Sequence, residues 1–286
     1  ALLENLRFHA EEKEGDEFFA GQLAENGDLY VNDAFGTAHR AHASTAVIAR
    51  FFPMDKAFGL LLQGEIDALS KVMKDPASPL LAIIGGAKVS SKLAILENLV
   101  EKVDRLMIGG GMAYTFILAQ GGNVGNSLVE EDMVIRALDI LKKAKQKGVE
   151  VFLPLDSVVA DAFSADANTQ NCSTVEIPEG WMGLDIGPDS ADRFAEAVRT
   201  SKTILWNGPM GVFEFDKFSN GTFTVASALK EATDLGGYTL IGGGDSVAAI
   251  NAAKLADQVS YVSTGGGAML EYLEGKMLPG IAAMAE

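Results

Sequence analysis

Two lysines beside a pair of glycines are well suited to binding an anion. Lys88 and Lys92 follow the glycines at 85–86 and lie four positions apart. We predict a helix over residues 88–101, which places both ammonium groups on one face at its amino end, where the helix dipole adds positive charge. Because like charges at this spacing are mildly destabilising, a phosphate bound between them accounts for the pattern; two solvated lysines are the alternative.

A carboxylate stands at the start of another predicted helix. Asp245 follows three glycines at 242–244 and precedes Ser246. An aspartate or serine in this position is commonly an ordinary helix cap. Beside phosphate-binding turns, the carboxylate also suits Mg²⁺, and the hydroxyl suits a phosphate oxygen. A cap and a magnesium ligand therefore remain alternatives for Asp245.

A loop at residues 206–214 offers apolar contacts and one carboxylate. It reads WNGPMGVFE, and Pro209 with its flanking glycines gives the loop a rigid shape. Its apolar residues suit a nucleotide base, and Glu214 suits ribose hydroxyls. An ordinary loop with a solvated glutamate is the alternative.

Four glycine turns recur where apolar, strand-like runs end and helical patterns begin. They lie at residues 85–86, 109–111, 242–244 and 265–267. The carboxyl ends of parallel strands meet at one sheet edge, where α/β proteins bind their ligands. Glycines there let backbone N–H groups approach an anion closely. The turns therefore predict a site for a large, multiply phosphorylated ligand.

The elements that must position these residues alternate between strand and helix. The predicted strands are 80–84, 105–108, 149–153, 203–206, 238–241 and 259–263. The predicted helices are 88–101, 112–120, 130–147, 190–200, 221–233 and 246–255. Such alternation predicts an α/β domain with a doubly wound parallel sheet, a Rossmann-like three-layer arrangement. Residues 164–187 are polar and rich in turn residues, and are predicted to be an irregular excursion or small hairpin.

The first sixty residues predict an incomplete second α/β lobe. We expect strands at 2–8 and 29–31, with a helix over 16–24 between them, too few strands to complete a sheet. Residues 64–74 carry apolar side chains at helical spacing and are followed by Pro76 and Pro79, so they predict a connecting helix.

The composition limits the possible partners. The 286 residues carry 23 basic and 39 acidic side chains, a net charge of −16, which argues against nucleic acids and anionic membranes. The hydrophobic content of 48% is enough for packed cores, and no apolar run reaches the ~18 residues of a membrane span. Cys172 is the only cysteine, and no secretory signal is recognisable, so we predict a cytoplasmic protein.

The common nucleotide motifs are absent. The third glycine of a dinucleotide fingerprint is replaced by Tyr114 after the turn at 109–111 and by Val247 after the turn at 242–244, which disfavours an NAD-dependent dehydrogenase. No Walker A loop or protein-kinase motif occurs. The three histidines lack the carboxylate spacing of a zinc or iron site.

Six segments resemble the phosphoglycerate kinase family in order and spacing. They are residues 4–8, 32–42, 85–92, 206–214, 242–246 and 263–268, which read ENLRF, NDAFGTAHRAH, GGAKVSSK, WNGPMGVFE, GGGDS and STGGGA. The resemblance implies phosphoryl transfer between 1,3-bisphosphoglycerate and MgADP, giving 3-phosphoglycerate and ATP, in a cytoplasmic monomer that works by hinge bending. It divides the chain into a partial substrate-binding lobe, a connector and hinge candidate, a nucleotide-binding domain and a C-terminal segment packed on the first lobe: residues 1–60, 61–76, 77–268 and 269–286.

The resemblance also implies roles for individual residues. Substrate binding is assigned to Arg7, His39 and Arg40, and Mg²⁺ binding to Asp245. The catalytic positions are Lys88, Gly243 and Gly266. The positions that contact ATP or ADP are Gly85, Gly86, Lys88, Lys92, Gly109, Gly110, Asn207, Pro209, Glu214, Gly243, Gly244, Asp245 and Ser246.

One departure from the family pattern is expected to matter. Chains of this family begin with a further segment of roughly a hundred residues, most of an average domain. That segment carries an Asp/Asn pair, a His-Leu-Gly-Arg motif and a catalytic arginine, none of which has a counterpart in this sequence. The alternative to an active enzyme is therefore a nucleotide-binding fragment with impaired catalysis.

Overall fold

A run of five apolar residues, Leu80–Ile84, forms a wholly buried strand at the centre of a parallel sheet. A strand buried on both faces carries apolar side chains continuously rather than at every second position. The computed structural model describes residues 1–285.

The strands, in chain order, are β1 (Tyr30–Asn32), β2 (Lys56–Phe58), β3 (Leu80–Ile84), β4 (Arg105–Ile108), β5 (Glu150–Phe152), β6 (Asp156–Ala160), β7 (Thr169–Ser173), β8 (Met182–Ile186), β9 (Thr203–Asn207), β10 (Tyr238–Ile241) and β11 (Tyr261–Val262). The α-helices are α1 (Ala10–Glu14), α2 (Glu17–Ala24), α3 (Leu60–Met73), α4 (Leu93–Leu99), α5 (Met112–Ala119), α6 (Val134–Lys147), α7 (Pro188–Arg199), α8 (Asn220–Asp234), α9 (Gly244–Ala252), α10 (Gly267–Leu273) and α11 (Pro279–Ala285).

Six strands form one sheet in the order β11-β10-β9-β3-β4-β5, and every neighbouring pair is parallel. The chain runs outward from β3 to β5 and then returns to place β9 on the other side of β3. The direction of winding therefore reverses between β3 and β9, and ligands bind at such a switch point in open α/β sheets. The predicted doubly wound parallel sheet is confirmed.

One face of this sheet packs on α7, α8 and α9. Their buried side chains join those of the strands in a single apolar cluster that includes Phe194, Trp206 and Leu229. Trp206 is fully buried, and its indole N–H donates to the carbonyl of Gly208 at 2.8 Å. The core therefore fixes the backbone at the point where β9 leaves the sheet.

The segment predicted to be irregular is a second sheet. The strands β7, β6 and β8 form a three-stranded antiparallel sheet in that order, with a bulge between Val158 and Val159. The prediction of a small hairpin was too limited, because β6 lies before residue 164 and its pairing with β7 and β8 is not visible in local sequence.

The chain divides into two units by packing, one formed by residues 1–70 with 264–286 and the other by residues 71–263. In the first unit, β1 and β2 pair in parallel. Its C-terminal part is joined to the first seventy residues by hydrogen bonds from Asn32 Nδ2 to the carbonyl of Gly280 and from Lys56 Nζ to that of Ala283. The unit boundary falls inside α3, within the predicted connector 61–76.

The strand predicted at residues 2–8 is wrong. Residues 6–8 form a 3₁₀ turn, because the side chain of Asn5 accepts the N–H of Arg7 and favours a turn. Leu2, Leu3 and Phe8 are exposed and pair with no strand in the described part of the chain.

No helix within residues 1–285 combines the length and apolar character that crossing a bilayer requires.

Candidate functional site

A cavity of about 570 Å³ lies at the carboxyl ends of β3, β4 and β9, at the switch point of the parallel sheet. This volume is in the range of small-molecule sites. Five of the predicted nucleotide-binding residues line it: Gly86, Gly110, Pro209, Glu214 and Asp245. The sheet therefore brings together turns that are separated by more than a hundred residues in sequence.

The other walls of the cavity were not predicted. They come from α5, from the loop before residue 130 and from the small antiparallel sheet, and they include Tyr114, Asn126, Leu128, Phe163, Met182 and Leu184. No local signal identifies these residues, because their role depends on how the second sheet packs beside the first.

Two glycines allow the turns after β3 and β9 to touch. A Cβ on Gly85 would lie 2.1 Å from the carbonyl oxygen of Pro209, and one on Gly208 would lie 2.1 Å from that of Gly85. The N–H of Gly85 also donates to the carbonyl of Asn207 at 2.9 Å. Glycine is therefore required at residue 85 for packing of backbone against backbone, in addition to any contact with a ligand.

Lys92, Asn207 and Asp245 form a polar group beside the cavity. The ammonium group of Lys92 donates to the side-chain oxygen of Asn207, whose amide nitrogen donates to the carbonyl of Gly242 at 2.7 Å. Burial lowers the pKa of Lys92 below its ordinary value, and the charge of Asp245 partly opposes this shift. The ammonium group is therefore held in place before any ligand arrives.

The start of α9 offers backbone N–H groups to an anion. No side chain caps this helix, and Gly243, which occupies the cap position, has a φ of +92°. Asp245 lies one residue inside the helix, so it is not the cap, and this alternative from the sequence is excluded. The hydroxyl of Ser246 is buried and accepts the N–H of Gly208, so it also fixes the neighbouring turn.

A matched pair of glycine substitutions tests this turn. In Gly243→Ala, the new Cβ would lie 2.5 Å from the side-chain nitrogen of Asn207 on a backbone with positive φ. We expect the free energy of unfolding to fall by about 2 kcal/mol. Gly244→Ala adds a Cβ in open space and should change it by less than about 0.5 kcal/mol. Equal stability of the two variants in urea titrations would contradict this account.

Lys88 is not on a helix, which corrects the prediction that it shares a helical face with Lys92. The α-helix begins only at Leu93, after a 3₁₀ turn over Ser90–Lys92. The carboxylate of Glu130 holds that turn, because it accepts the N–H of Ser90 at 3.0 Å and its hydroxyl at 2.5 Å. Lys88 is exposed, and it forms no salt bridge within residues 1–285.

Cations also cluster in the first unit. Arg7, Arg40 and Lys13 all act electrostatically on His42, together with the carboxylate of Glu12. Burial lowers the pKa of His42; Glu12 raises it, while the three cations lower it further. Tertiary packing therefore brings Arg7 and Arg40 into one positive region, and it adds Lys13, which the sequence did not single out.

His39 lies against the glycine turn at 265–267, which packs in the same unit. A Cβ on Gly267 would lie 3.2 Å from Nε2 of His39. The carboxylate of Glu65, on α3, accepts both the N–H and the hydroxyl of Thr264 at 2.7 Å and so fixes the start of this turn. Glu65 is fully buried, and nothing in its local sequence marks it as a partner of a turn two hundred residues away.

Comparisons with known proteins agree with this architecture. The model of the phosphoglycerate kinase family matches residues 1–276. A phosphoglycerate kinase of Gloeothece citriformis is 57% identical over 286 residues, which are all of this chain and 71% of that protein. A chloroplastic phosphoglycerate kinase of Volvox carteri is 56% identical over 285 residues, covering 100% of this chain and 62% of that protein. Among solved structures, phosphoglycerate kinase from Coxiella burnetii superposes with a TM-score of 0.93 at 44% identity, over 98% of this chain and 71% of that one.

Proposed function

This chain belongs to the phosphoglycerate kinase family, and we propose that it catalyses reversible phosphoryl transfer between 1,3-bisphosphoglycerate and MgADP, giving 3-phosphoglycerate and ATP. The observation that carries the proposal is the cavity at the switch point with cations and helix N–H groups beside it. This combination of an apolar pocket and an anion site fits a nucleotide.

The nucleotide is assigned to the second unit. Its base would occupy the apolar cavity beside Gly86, Gly110 and Pro209, and its ribose would contact Glu214. Its phosphates would meet Lys92 and the uncapped start of α9. Gly85, Gly109, Asn207, Gly243, Gly244 and Ser246 complete the proposed set through the turns that they form.

Asp245 would hold Mg²⁺ together with phosphate oxygens and water. No group of three or more His, Cys, Asp or Glu side chains that could hold a metal occurs within residues 1–285. One carboxylate beside a phosphate site suits Mg²⁺, which usually binds through one or two carboxylates plus substrate phosphates. When bound, the ion would neutralise charge on the phosphates.

The acid substrate is assigned to the first unit. Arg7, His39 and Arg40 would bind 3-phosphoglycerate, since guanidinium groups bind carboxylate and phosphate in two-point contacts. The shared positive region around His42 supports this assignment.

The chemistry needs charge and alignment rather than a base. In the ATP-consuming direction the acceptor is a carboxylate, which is already ionised at neutral pH. Lys88 and the backbone N–H group at Gly243, both in the second unit, would stabilise the charge on the transferred phosphoryl group; the catalytic role of Gly266 stays a prediction.

Other properties stay predictions. They are the monomeric state, the hinge near residues 64–74 and the cytoplasmic location; relatives named for the chloroplast and for the cytosol both match this chain. Nothing in the comparisons supports the alternative of an impaired nucleotide-binding fragment.

A coupled assay tests the proposal. Purified protein should form ATP from 1,3-bisphosphoglycerate and ADP in a magnesium-dependent reaction, and MgADP should saturate it. Absence of ATP formation together with absence of MgADP binding would reject the assignment.

A further inference from the structure

A buried carboxylate lies behind one wall of the cavity, and the proposed chemistry does not use it. Asp185, on β8, is 1% exposed. It accepts the N–H of Ile186 at 2.9 Å and the N–H of Gly221 at 2.8 Å, through different oxygens. No lysine, arginine or histidine of the described residues pairs with it. Because burying an unpaired charge is costly, this carboxylate is expected to have a specific role.

The backbones of two segments pack closely against this carboxylate. A Cβ on Gly211 would lie 2.2 Å from an oxygen of Asp185, and a Cβ on Gly221 would lie 2.5 Å from one. Gly221 is in the first turn of α8, and the residue at the cap position, Ser219, makes no side-chain cap. Asp185 therefore caps α8 from a separate strand, where the helix dipole favours negative charge.

Hydrogen bonds of neighbouring residues fix a wall of the cavity around this carboxylate. The N–H of Val212 donates to the carbonyl of Leu184 at 2.8 Å, and the N–H of Met210 donates to the hydroxyl of Thr222 at 3.0 Å. Leu184, Met210 and Val212 all line the cavity. Asp185 thus lies where β8, the loop after β9 and the start of α8 meet.

We propose that the ionised carboxylate of Asp185 is a positioning group, which holds residues 209–214 in the arrangement that binds the nucleotide base and ribose. The inference rests on the proposed function of the cavity. A carboxylate accepts N–H groups more strongly than a neutral carboxyl does, and only the charged form benefits from the helix dipole. Protonation therefore loosens this wall and weakens binding.

Asp185 is expected to titrate within a pH range in which ligand binding can be measured. Burial raises its pKa to about 7, and the N–H groups of Gly221 and Ile186 oppose that rise. The other titratable or charged groups on the surrounding elements are Tyr114 on α5, Asp156 at the start of β6, and Glu214, Asp216 and Lys217 between β9 and α8; the first two turns of α8 contribute none. Burial raises the pKa of Tyr114, so its phenol stays neutral.

Adenosine is the probe, because it fills the base and ribose positions and has no group of its own that titrates near neutrality. The Kd of the unsubstituted protein should rise about tenfold from about pH 8 to about pH 6, as the protonated fraction of Asp185 rises from about a tenth to about nine-tenths. Asp185→Asn cannot ionise, so its binding should be weaker and independent of pH over this range.

Asp104→Asn is the matched control. This exposed carboxylate accepts the N–H of Leu80 at 2.7 Å at the amino edge of the sheet, so the tenfold pH dependence should persist in the variant. A flat profile in the unsubstituted protein would overturn the role of Asp185, even if Asp185→Asn did not fold. Parallel pH profiles of the unsubstituted protein and Asp185→Asn would overturn only the role of Asp185. Absence of adenosine binding at every pH would overturn the proposed function of the cavity as well.

Discussion

Lys88→Ala is expected to lower kcat by a factor of about a hundred or more while changing the Kd of MgADP less than about threefold. Lys88 follows the turn after β3 and is exposed; its charge acts on the carboxylate of Glu130, but no salt bridge within residues 1–285 holds its ammonium group. Lys92, in contrast, is already engaged with Asn207. An ammonium group without a fixed partner is free to meet charge that develops on the transferred phosphoryl group, and it contributes little to ground-state binding.

The measurement is steady-state ATP formation combined with MgADP titration by calorimetry. Lys142→Ala, which removes an exposed lysine from α6, serves as the control and should leave both quantities unchanged. An unchanged kcat for Lys88→Ala would show that another cation has the catalytic role. A loss confined to nucleotide affinity would place Lys88 in binding rather than in phosphoryl transfer.

Asp245→Ala is expected to raise the Kd of MgADP about thirtyfold, equivalent to about 2 kcal/mol, and to change the Kd of metal-free ADP much less. Asp245 lies in the first turn of α9, does not cap the helix, and acts electrostatically on Lys92. Its loss removes the protein ligand proposed for Mg²⁺. It also removes a negative charge near the phosphates, which favours binding of metal-free ADP. The difference between the effects on MgADP and on metal-free ADP therefore becomes larger.

Titrations of ADP with Mg²⁺ and with a chelator make this comparison. Asp257→Ala removes an exposed carboxylate from the turn that follows α9 and should leave both affinities unchanged. Equal weakening of ADP binding with and without Mg²⁺ would count against a metal ligand and in favour of a structural role for Asp245.

Predictions from local sequence were most reliable where the structure of an element depends mainly on its own residues. The short apolar run at 80–84, ended by glycines, favours a buried strand, and the glycine turns after β3, β4 and β10 end their strands where expected. Motif spacing then identified the family. Local sequence failed at residues 2–8, where a side-chain hydrogen bond of Asn5 favours a turn and no strand within residues 1–285 pairs with this segment. It failed again at Lys88, because Glu130, forty residues away, fixes the turn before α4.

The sequence alone thus predicted the class of fold and the sheet edge that carries the cavity, together with glycines and the aspartate that line it, since strand period, turn residues and charge are local properties. Tertiary structure decided which side chains complete that site. The apolar walls of the cavity, the clustering of Lys13 with Arg7 and Arg40, and the burial of Asp185 all depend on contacts between distant segments. Burial and electrostatic shifts are properties of those contacts, so no window of sequence contains them.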